Sequence, residues 1–260
     1  MAVRHSEPRT APPYSVLAGG YDFVMNHVEY DMWSEYIHGL LTRHAPDART
    51  LLELGCGTGS QAFALQPLGP YDYLATDISE QMLTVARHKA AEGGENVRFE
   101  LADFTDYRVD TPVDAVLLLY DGINYLLEKE DVVKLMRCTF QALRPGGIFI
   151  VDQSTPTNSI NNEPYFEHSD SAEGFSYVRK SRYDRETRLH RTTLEISIGE
   201  HLFQEVHVQR AYDMTEIQDL AEQAGFAVES MYDGFSTAPA TEESERVHWV
   251  LRRPTGRNDA

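Results

Sequence analysis

The chain has 260 residues, 42% of them hydrophobic and 25% charged, with a formal net charge of −18; this is enough for one sizeable core in an ordinary globular protein. So acidic a surface repels phosphate backbones and disfavours nucleic acid as a partner, and the longest apolar run, residues 115–120, is too short to span a bilayer. The two cysteines, Cys56 and Cys138, give neither a disulfide framework nor zinc spacing, and with no apolar signal segment a cytoplasmic protein is expected.

Residues 1–13, with three prolines and no periodicity, read as a disordered lead-in. Met32, Trp33, Tyr36, Ile37, Leu40 and Leu41 then recur at helical spacing until Ala45-Pro46-Asp47 breaks the pattern. A strand at 49–54, a glycine loop, a helix from about Ser60 and a strand at 71–76 form a βαβ unit. Ser79 is the expected N-cap of the next helix, with Glu80 in its first turn, Arg87, His88 and Lys89 in its last, and Gly93-Gly94 as its stop. Strands at 96–101 and 113–120, a helix over 131–143 and a fifth strand at 147–151 continue the alternation. The pattern predicts an α/β fold, a mostly parallel sheet with helices on both faces.

After Asp152 the grammar changes. Residues 175–183 and 189–212 alternate with period two (Leu194, Ile196, Ile198; Val206, Val208) and no helix intervenes, which predicts an antiparallel insertion. Asp213-Met214-Thr215-Glu216 then opens a helix as a capping box, Ile217, Leu220, Ala221 and Ala224 repeat helically, and Gly225 ends it. Strands at 226–232 and 246–251 complete the core. The expected organisation is a core of residues 14–152 and 213–253, interrupted by an insertion at 153–212 and followed by a polar tail at 254–260. Within the insertion, residues 179–191 carry six Arg or Lys against Asp184 and Glu186; a solvated hairpin face is favoured over an anion-binding patch.

Glu53-Leu54-Gly55-Cys56-Gly57-Thr58-Gly59 joins a strand to a helix. Glycines there let a ligand approach the backbone and let the helix N-terminus face an anionic group. Gly57 to Ala62 satisfies the G-x-G-x-x-A pattern, and Asp77 lies where a ribose-binding acid would end the second strand. By itself the loop fits NAD or S-adenosylmethionine equally.

The rest of the chain separates the two. The 53–59 loop, Ala102-Asp103-Phe104 after the third strand and Leu143-Arg144-Pro145-Gly146-Gly147 before the fifth resemble, in order, motifs of the class I, Rossmann-like S-adenosylmethionine-dependent methyltransferases. The stretches at 14–22, 121–126, 207–212 and 232–236 resemble a subgroup of small bacterial members, so the likeness covers about residues 14–252. It implies a seven-stranded sheet whose last strand is antiparallel, and a lid after strand five that covers a small-molecule acceptor. Carried over by position, it implies that the backbone of Gly55, Gly57 and Gly59 meets the methionyl part of the cofactor, with Glu53 supporting the loop. Asp77 would accept from both ribose hydroxyls, Ile78 and Met82 would sandwich the adenine, and Asp103 and the Phe104 amide would read its edge. Tyr120 would lie near the sulfonium, and Tyr14, Tyr21 and Trp33 would close over the methionine end. The bland alternatives are that Asp103 caps a turn and that Met82 is core.

Methyl transfer from a sulfonium needs alignment and exclusion of water more than acid–base chemistry. An amine acceptor must still be neutral, and a hydroxyl must lose a proton. The candidate base or acceptor-binding residues are Asp121, Tyr125, His207, Arg210 and Tyr212. On an extended strand Val208, Arg210 and Tyr212 share one face while His207 and Gln209 take the other, so His207 and Arg210 cannot both face the acceptor unless a bulge intervenes. Arg210 with Tyr212 would grip an anionic acceptor group or tie the lid to the core. The leading expectation is transfer to nitrogen or oxygen of a small metabolite, leaving S-adenosylhomocysteine. Alternatives are a metal-assisted O-methyltransferase with Asp121 and Asp152 as ligands, an NAD-dependent oxidoreductase, an RNA-directed methyltransferase resting on the basic patch, and a cofactor-binding regulator.

Overall fold

The computed structural model describes residues 7–93 and 96–256. Part of the expected lead-in (1–6), half of the Gly93-Gly94 stop and most of the expected tail (257–260) therefore lie outside the described residues.

Three residues of the expected lead-in are ordered in a sheet. Arg9–Ala11 forms strand β1, which pairs in parallel with Phe203, Gln204 and Glu205 far along the chain. A short helix α1 (Tyr21–Val24) and the amphipathic helix α2 (Tyr30–His44) follow. The alternating core then runs β2 (Thr50–Leu54), α3 (Ser60–Leu65), β3 (Asp72–Asp77), α4 (Glu80–Gly93), β4 (Val97–Leu101), β5 (Val113–Leu118), α5 (Lys129–Ala142) and β6 (Leu143–Ser154). The Ser79 Oγ accepts the Met82 N–H at 3.3 Å, satisfying an orphan donor at the start of α4 as its sequence promised.

A six-residue helix α6 (Pro156–Asn161) leads into four antiparallel strands: β7 (Glu167–Ala172), β8 (Phe175–Asp184), β9 (Leu189–Ile198) and β10 (His201–Arg210). Helix α7 (Met214–Gln223) starts with the expected reciprocal capping box between Asp213 and Glu216. Strands β11 (Ala227–Asp233) and β12 (Arg246–Arg252) end the described fold. No helix among the described residues is long and apolar enough to cross a membrane.

The main sheet has seven strands in the order β11-β12-β6-β5-β2-β3-β4. The β6-β5-β2-β3-β4 run is parallel and β12 is antiparallel to both neighbours. Successive strand residues feed opposite layers. Leu51, Ala115, Ile148 and Val250 face α2 and α3 with Ile37, Leu41 and Leu65. Leu52, Val116, Phe149 and Trp249 face α5 and α7 with Leu135, Met136, Ile217 and Ala221.

The second sheet has the order β1-β10-β9-β8-β7. Its inner face makes a small core of its own, Leu17 with Tyr177, Leu194 and Ile196. The segment before α1 is therefore packed on the insertion. The fit is close: a Cβ on Gly20 would come within 2.2 Å of the Phe175 ring. The basic stretch 179–191 occupies the β8–β9 hairpin, where Arg185 pairs with Glu163 at 3.1 Å and Arg188 with Asp213 at 2.5 Å.

Candidate active site

Strand order reverses at β2, between β3 and β5. A crevice forms outside the carboxyl ends of such strands, and open α/β sheets bind ligands there. A cavity of about 350 Å³ sits at this point.

Its floor is the loop after β2. Gly55, Gly57 and Gly59 have φ of 66°, 55° and 79°, left-handed values that side chains other than glycine resist. Gly55 and Gly57 line the cavity, whereas Gly59 does not. Gly59 turns the chain into α3 against the Phe99 ring, 2.9 Å from where its Cβ would be. Asp77, at the end of β3, holds the loop: its Oδ2 accepts the Gly57 N–H and its Oδ1 the Ser79 N–H, each at 2.8 Å. Burial pushes the Asp77 carboxyl above its ordinary value, and the Ser79 and Gly57 amides oppose that only in part.

Glu53 is buried beneath the loop and accepts from the Tyr73 hydroxyl at 2.9 Å. Burial pushes its carboxyl up to about 7, against the lowering effect of that bond.

Ile78, Met82 and Phe104 line the same cavity. Ile78 is open to solvent and Met82 is buried. Asp103 does not line it. It is exposed, and its Oδ1 accepts the Thr105 N–H at 2.8 Å and the Thr105 hydroxyl at 2.7 Å, the turn-capping arrangement.

The opposite wall is aromatic: Tyr14, Tyr21, Tyr30, Tyr120 and Tyr125. Trp33 is not part of it. Its ring is stacked behind Tyr120, 4.2 Å between centroids, with the Arg246 guanidinium 5.3 Å from its own centroid. Tyr30 was missed because it precedes the apolar periodicity that marks α2. The Tyr120 hydroxyl donates to Gln61 Oε1 at 2.7 Å, and burial pushes it well above the usual phenol range.

Tyr14 and Tyr125 share a short hydroxyl–hydroxyl bond. The Tyr125 hydroxyl contacts His207 Nδ1 at 3.1 Å, and His207 Nε2 contacts Glu205 Oε2 at 3.2 Å. Glu205 also accepts the N–H groups of Tyr14 (2.8 Å), Val16 (2.7 Å) and Leu17 (3.0 Å). Sequence reasoning singled out His207 and missed Glu205, although period two places both on one strand face.

The β9–β10 ladder runs without a bulge, so Arg210 does take the other face. Arg210 donates to the Leu127 carbonyl at 3.1 Å and lies 5.0 Å from the Tyr212 ring. The buried Tyr212 hydroxyl donates to the Leu126 carbonyl at 2.5 Å. Neither residue lines the cavity; of the two roles weighed for them, the geometry is that of a tie between insertion and core. Asp121 does not line the cavity either. Arg246 Nη1 lies 2.5 Å from Asp121 Oδ1 and also pairs with the buried Asp152. A guanidinium thus occupies the place between the two carboxylates that the metal-assisted reading required.

Seven strands in this order, with β12 antiparallel between β6 and β11 and a glycine-floored cavity at the switch point, match the fold implied by the resemblance to class I methyltransferases. The Methyltransferase domain family matches residues 51–147. YqeM of Bacillus subtilis (strain 168), which carries the name of a methyltransferase, is 28% identical over 245 residues, 92% of this chain and 97% of its own. A Streptomyces venezuelae relative named dTDP-3-amino-3,4,6-trideoxy-alpha-D-glucopyranose N,N-dimethyltransferase is 24% identical over 212 residues, 79% of this chain and 87% of its own. Among solved structures, an S-adenosylmethionine-dependent methyltransferase from Clostridium acetobutylicum superposes with a TM-score of 0.78 at 21% identity, covering 92% of this chain and 98% of the other. The chain is a class I, Rossmann-like S-adenosylmethionine-dependent methyltransferase.

Proposed function

We propose that this enzyme moves the methyl group to nitrogen or oxygen of a small metabolite, with an amine as the favoured acceptor. The observation that carries the reading is the lining of the cavity: the glycine loop forms one side, and the phenols of Tyr14, Tyr21, Tyr30, Tyr120 and Tyr125 form the other. Such a space suits a small molecule held out of water. The amine preference is supported by the Streptomyces venezuelae relative, whose name specifies N,N-dimethylation of an amino sugar. A cytoplasmic setting accords with this reading, since both cysteines are free thiols. The acidic charge of the chain argues against a nucleic-acid acceptor.

The residues present fit the cofactor. Two left-handed glycines line the cavity, and an acid and apolar side chains face the same space. When bound, S-adenosylmethionine supplies an electrophilic methyl group on a sulfonium. In our assignment Gly55 and Gly57 give room for its methionyl part and Gly59 sets the turn into α3. Glu53 supports the loop from below. Asp77 accepts from the ribose while holding Gly57, and Ile78, Met82 and Phe104 flank the base. Asp103 is left to its turn. Tyr14, Tyr21, Tyr30 and Tyr120 exclude water from the methyl end, with Trp33 backing Tyr120.

Isothermal titration with S-adenosylmethionine, S-adenosylhomocysteine and NADH tests the cofactor assignment: the first two are expected to bind and NADH is not. Transfer of a labelled methyl group into the small-molecule fraction of a cell extract tests the acceptor class. Label found only in nucleic acid or protein would overturn it.

A further inference from the structure

The Tyr14–Tyr125–His207–Glu205 contacts have a direction. A carboxylate only accepts hydrogen bonds, and Glu205 is held ionised: burial raises its carboxyl, but His207 and the three backbone N–H groups outweigh this and bring it below the ordinary value. His207 Nε2 must therefore carry the proton that points at Glu205, and in the neutral imidazole this leaves Nδ1 as a bare acceptor for the Tyr125 hydroxyl. Tyr125, donating to His207, accepts from Tyr14. Tyr14, donating to Tyr125, then presents only lone pairs to the cavity it lines. One buried carboxylate on β10 thus fixes the polarity of a chain that ends at the active site.

We propose that Glu205 is the positioning residue of a directional relay, Tyr14 to Tyr125 to His207, which takes the proton from the methyl acceptor at Tyr14 Oη. The assignment rests on the small-metabolite reading above. The acceptor nitrogen or oxygen forms its bond to the methyl carbon as the carbon–sulfur bond breaks, and S-adenosylhomocysteine leaves with the electron pair. The acceptor's N–H or O–H proton goes to Tyr14 Oη, the Tyr14 proton passes to Tyr125, and the Tyr125 proton passes to His207 Nδ1. The resulting imidazolium is paired with Glu205 until the proton exchanges with solvent. Neither phenol has to ionise, which matters because burial drives both of them above the usual range. The titratable groups facing the relay from other elements are Tyr21 on α1, Asp77 at the end of β3 and Asp121 after β5, and each further disfavours a phenolate there.

The same carboxylate holds the backbone of residues 14–17, so the relay is assembled only when insertion and N-terminal segment meet. That predicts a specific failure in Glu205→Gln. The Gln amide NH2 would face either His207 Nε2 and the Tyr14 N–H or the Val16 and Leu17 N–H groups, and no orientation satisfies all four.

The test reads the imidazole nitrogens of His207 by ¹⁵N NMR in the labelled full-length protein, free and with S-adenosylhomocysteine. A pyrrole-like Nε2 and a pyridine-like Nδ1 are expected. Glu205→Gln should move the population toward the Nδ1–H tautomer. Tyr125→Phe, which keeps the ring, should move the His207 Nδ1 resonance toward that of a nitrogen with no donor, because the neutral imidazole loses its hydrogen bond there. In the labelled-methyl assay with the extract's small-molecule fraction, Tyr125→Phe and His207→Gln should lower the rate about 100-fold at neutral pH, with S-adenosylhomocysteine affinity retained. A protonated Nδ1 in the wild type, or an Nδ1 resonance unmoved in Tyr125→Phe, overturns the relay whatever the activity. Absence of any transfer by the wild type would instead count against the small-metabolite reading, and the NMR result would still decide the polarity of the chain.

Discussion

Asp77→Asn separates two jobs that the same carboxylate is assigned. In the free protein both oxygens are engaged, Oδ2 with the Gly57 N–H and Oδ1 with the Ser79 N–H, each at 2.8 Å. An amide of the same shape must turn its NH2 toward one of those donors. The loss of a hydrogen bond to a charged acceptor, with a donor left facing a donor, costs about 1.5–3 kcal/mol. For a chain of this size that corresponds to a fall in melting temperature of roughly 3–10 °C. If Asp77 also accepts from the ribose, the complex loses a further charged hydrogen bond, and affinity should fall about 10–150-fold. Differential scanning calorimetry reads the first effect, and isothermal titration with S-adenosylhomocysteine reads the second. Affinity within about twofold of wild type, with the melting temperature lowered, would reduce Asp77 to a clamp on the glycine loop. An unchanged melting temperature would refute the clamp.

Glu53 carries the pH prediction. Its folded value of about 7 lies above its ordinary 4.5, so its contribution to stability is fully present below about pH 4.5 and is lost as pH rises through about 7. At pH 8.5 the loss is on the order of 3 kcal/mol. Glu53→Gln, which can still accept from Tyr73, should therefore be increasingly stabilising from pH 5 to 8.5 in urea titrations; a difference flat with pH would sink the argument. Arg246→Met leaves the buried Asp152 and its neighbour Asp121 without their counter-ion and should cost ~3–5 kcal/mol of unfolding free energy, most of it recovered on adding Asp152→Asn. Gly59→Ala and Gly174→Ala impose similar left-handed strain, at φ of 79° and 77°, but only the Gly59 methyl meets the Phe99 and Phe63 rings. Calorimetry should show the larger loss at Gly59, and equal losses would mean that contact with the rings costs nothing.

The parallel sheet was legible because its central strands β2, β5 and β6 are buried almost throughout and its helices on one face, so hydrophobic runs and helical spacing mark those elements. Strand β7 was not. All six of its residues, Glu167–Ala172, are exposed; it is an edge strand held through the backbone ladder to β8, and no side-chain pattern reports that. Strand β1 is hidden for a related reason. Three residues cannot show a period, and their partner lies nearly two hundred positions away. In the site, motif spacing found the glycine loop and Asp77, which are local. It did not separate Trp33 from Tyr120, or Asp103 from its own turn, because those outcomes depend on which side chain reaches the cavity first.

The backbone itself marks the same site. Four described residues other than glycine have positive φ: Tyr14, Tyr120, Asp121 and Arg188. Arg188 is in the β8–β9 hairpin turn, where such a conformation is ordinary. Tyr14 and Tyr120 line the cavity, and Asp121 sits between Tyr120 and the lining residue Gly122. Left-handed backbone at a bulky residue costs on the order of 1–3 kcal/mol and persists only where surrounding contacts over-determine it. Those contacts are present: Glu205 and Tyr125 hold Tyr14, Gln61 and the Trp33 ring hold Tyr120, and Arg246 faces the Asp121 carboxylate. Tyr14 and Tyr120 belong to chain segments more than a hundred residues apart, so two independent local sacrifices converge on one wall of one cavity. What the strain achieves is to aim two phenol rings into the cavity, on the wall to which our proposal assigns the methyl end of the cofactor.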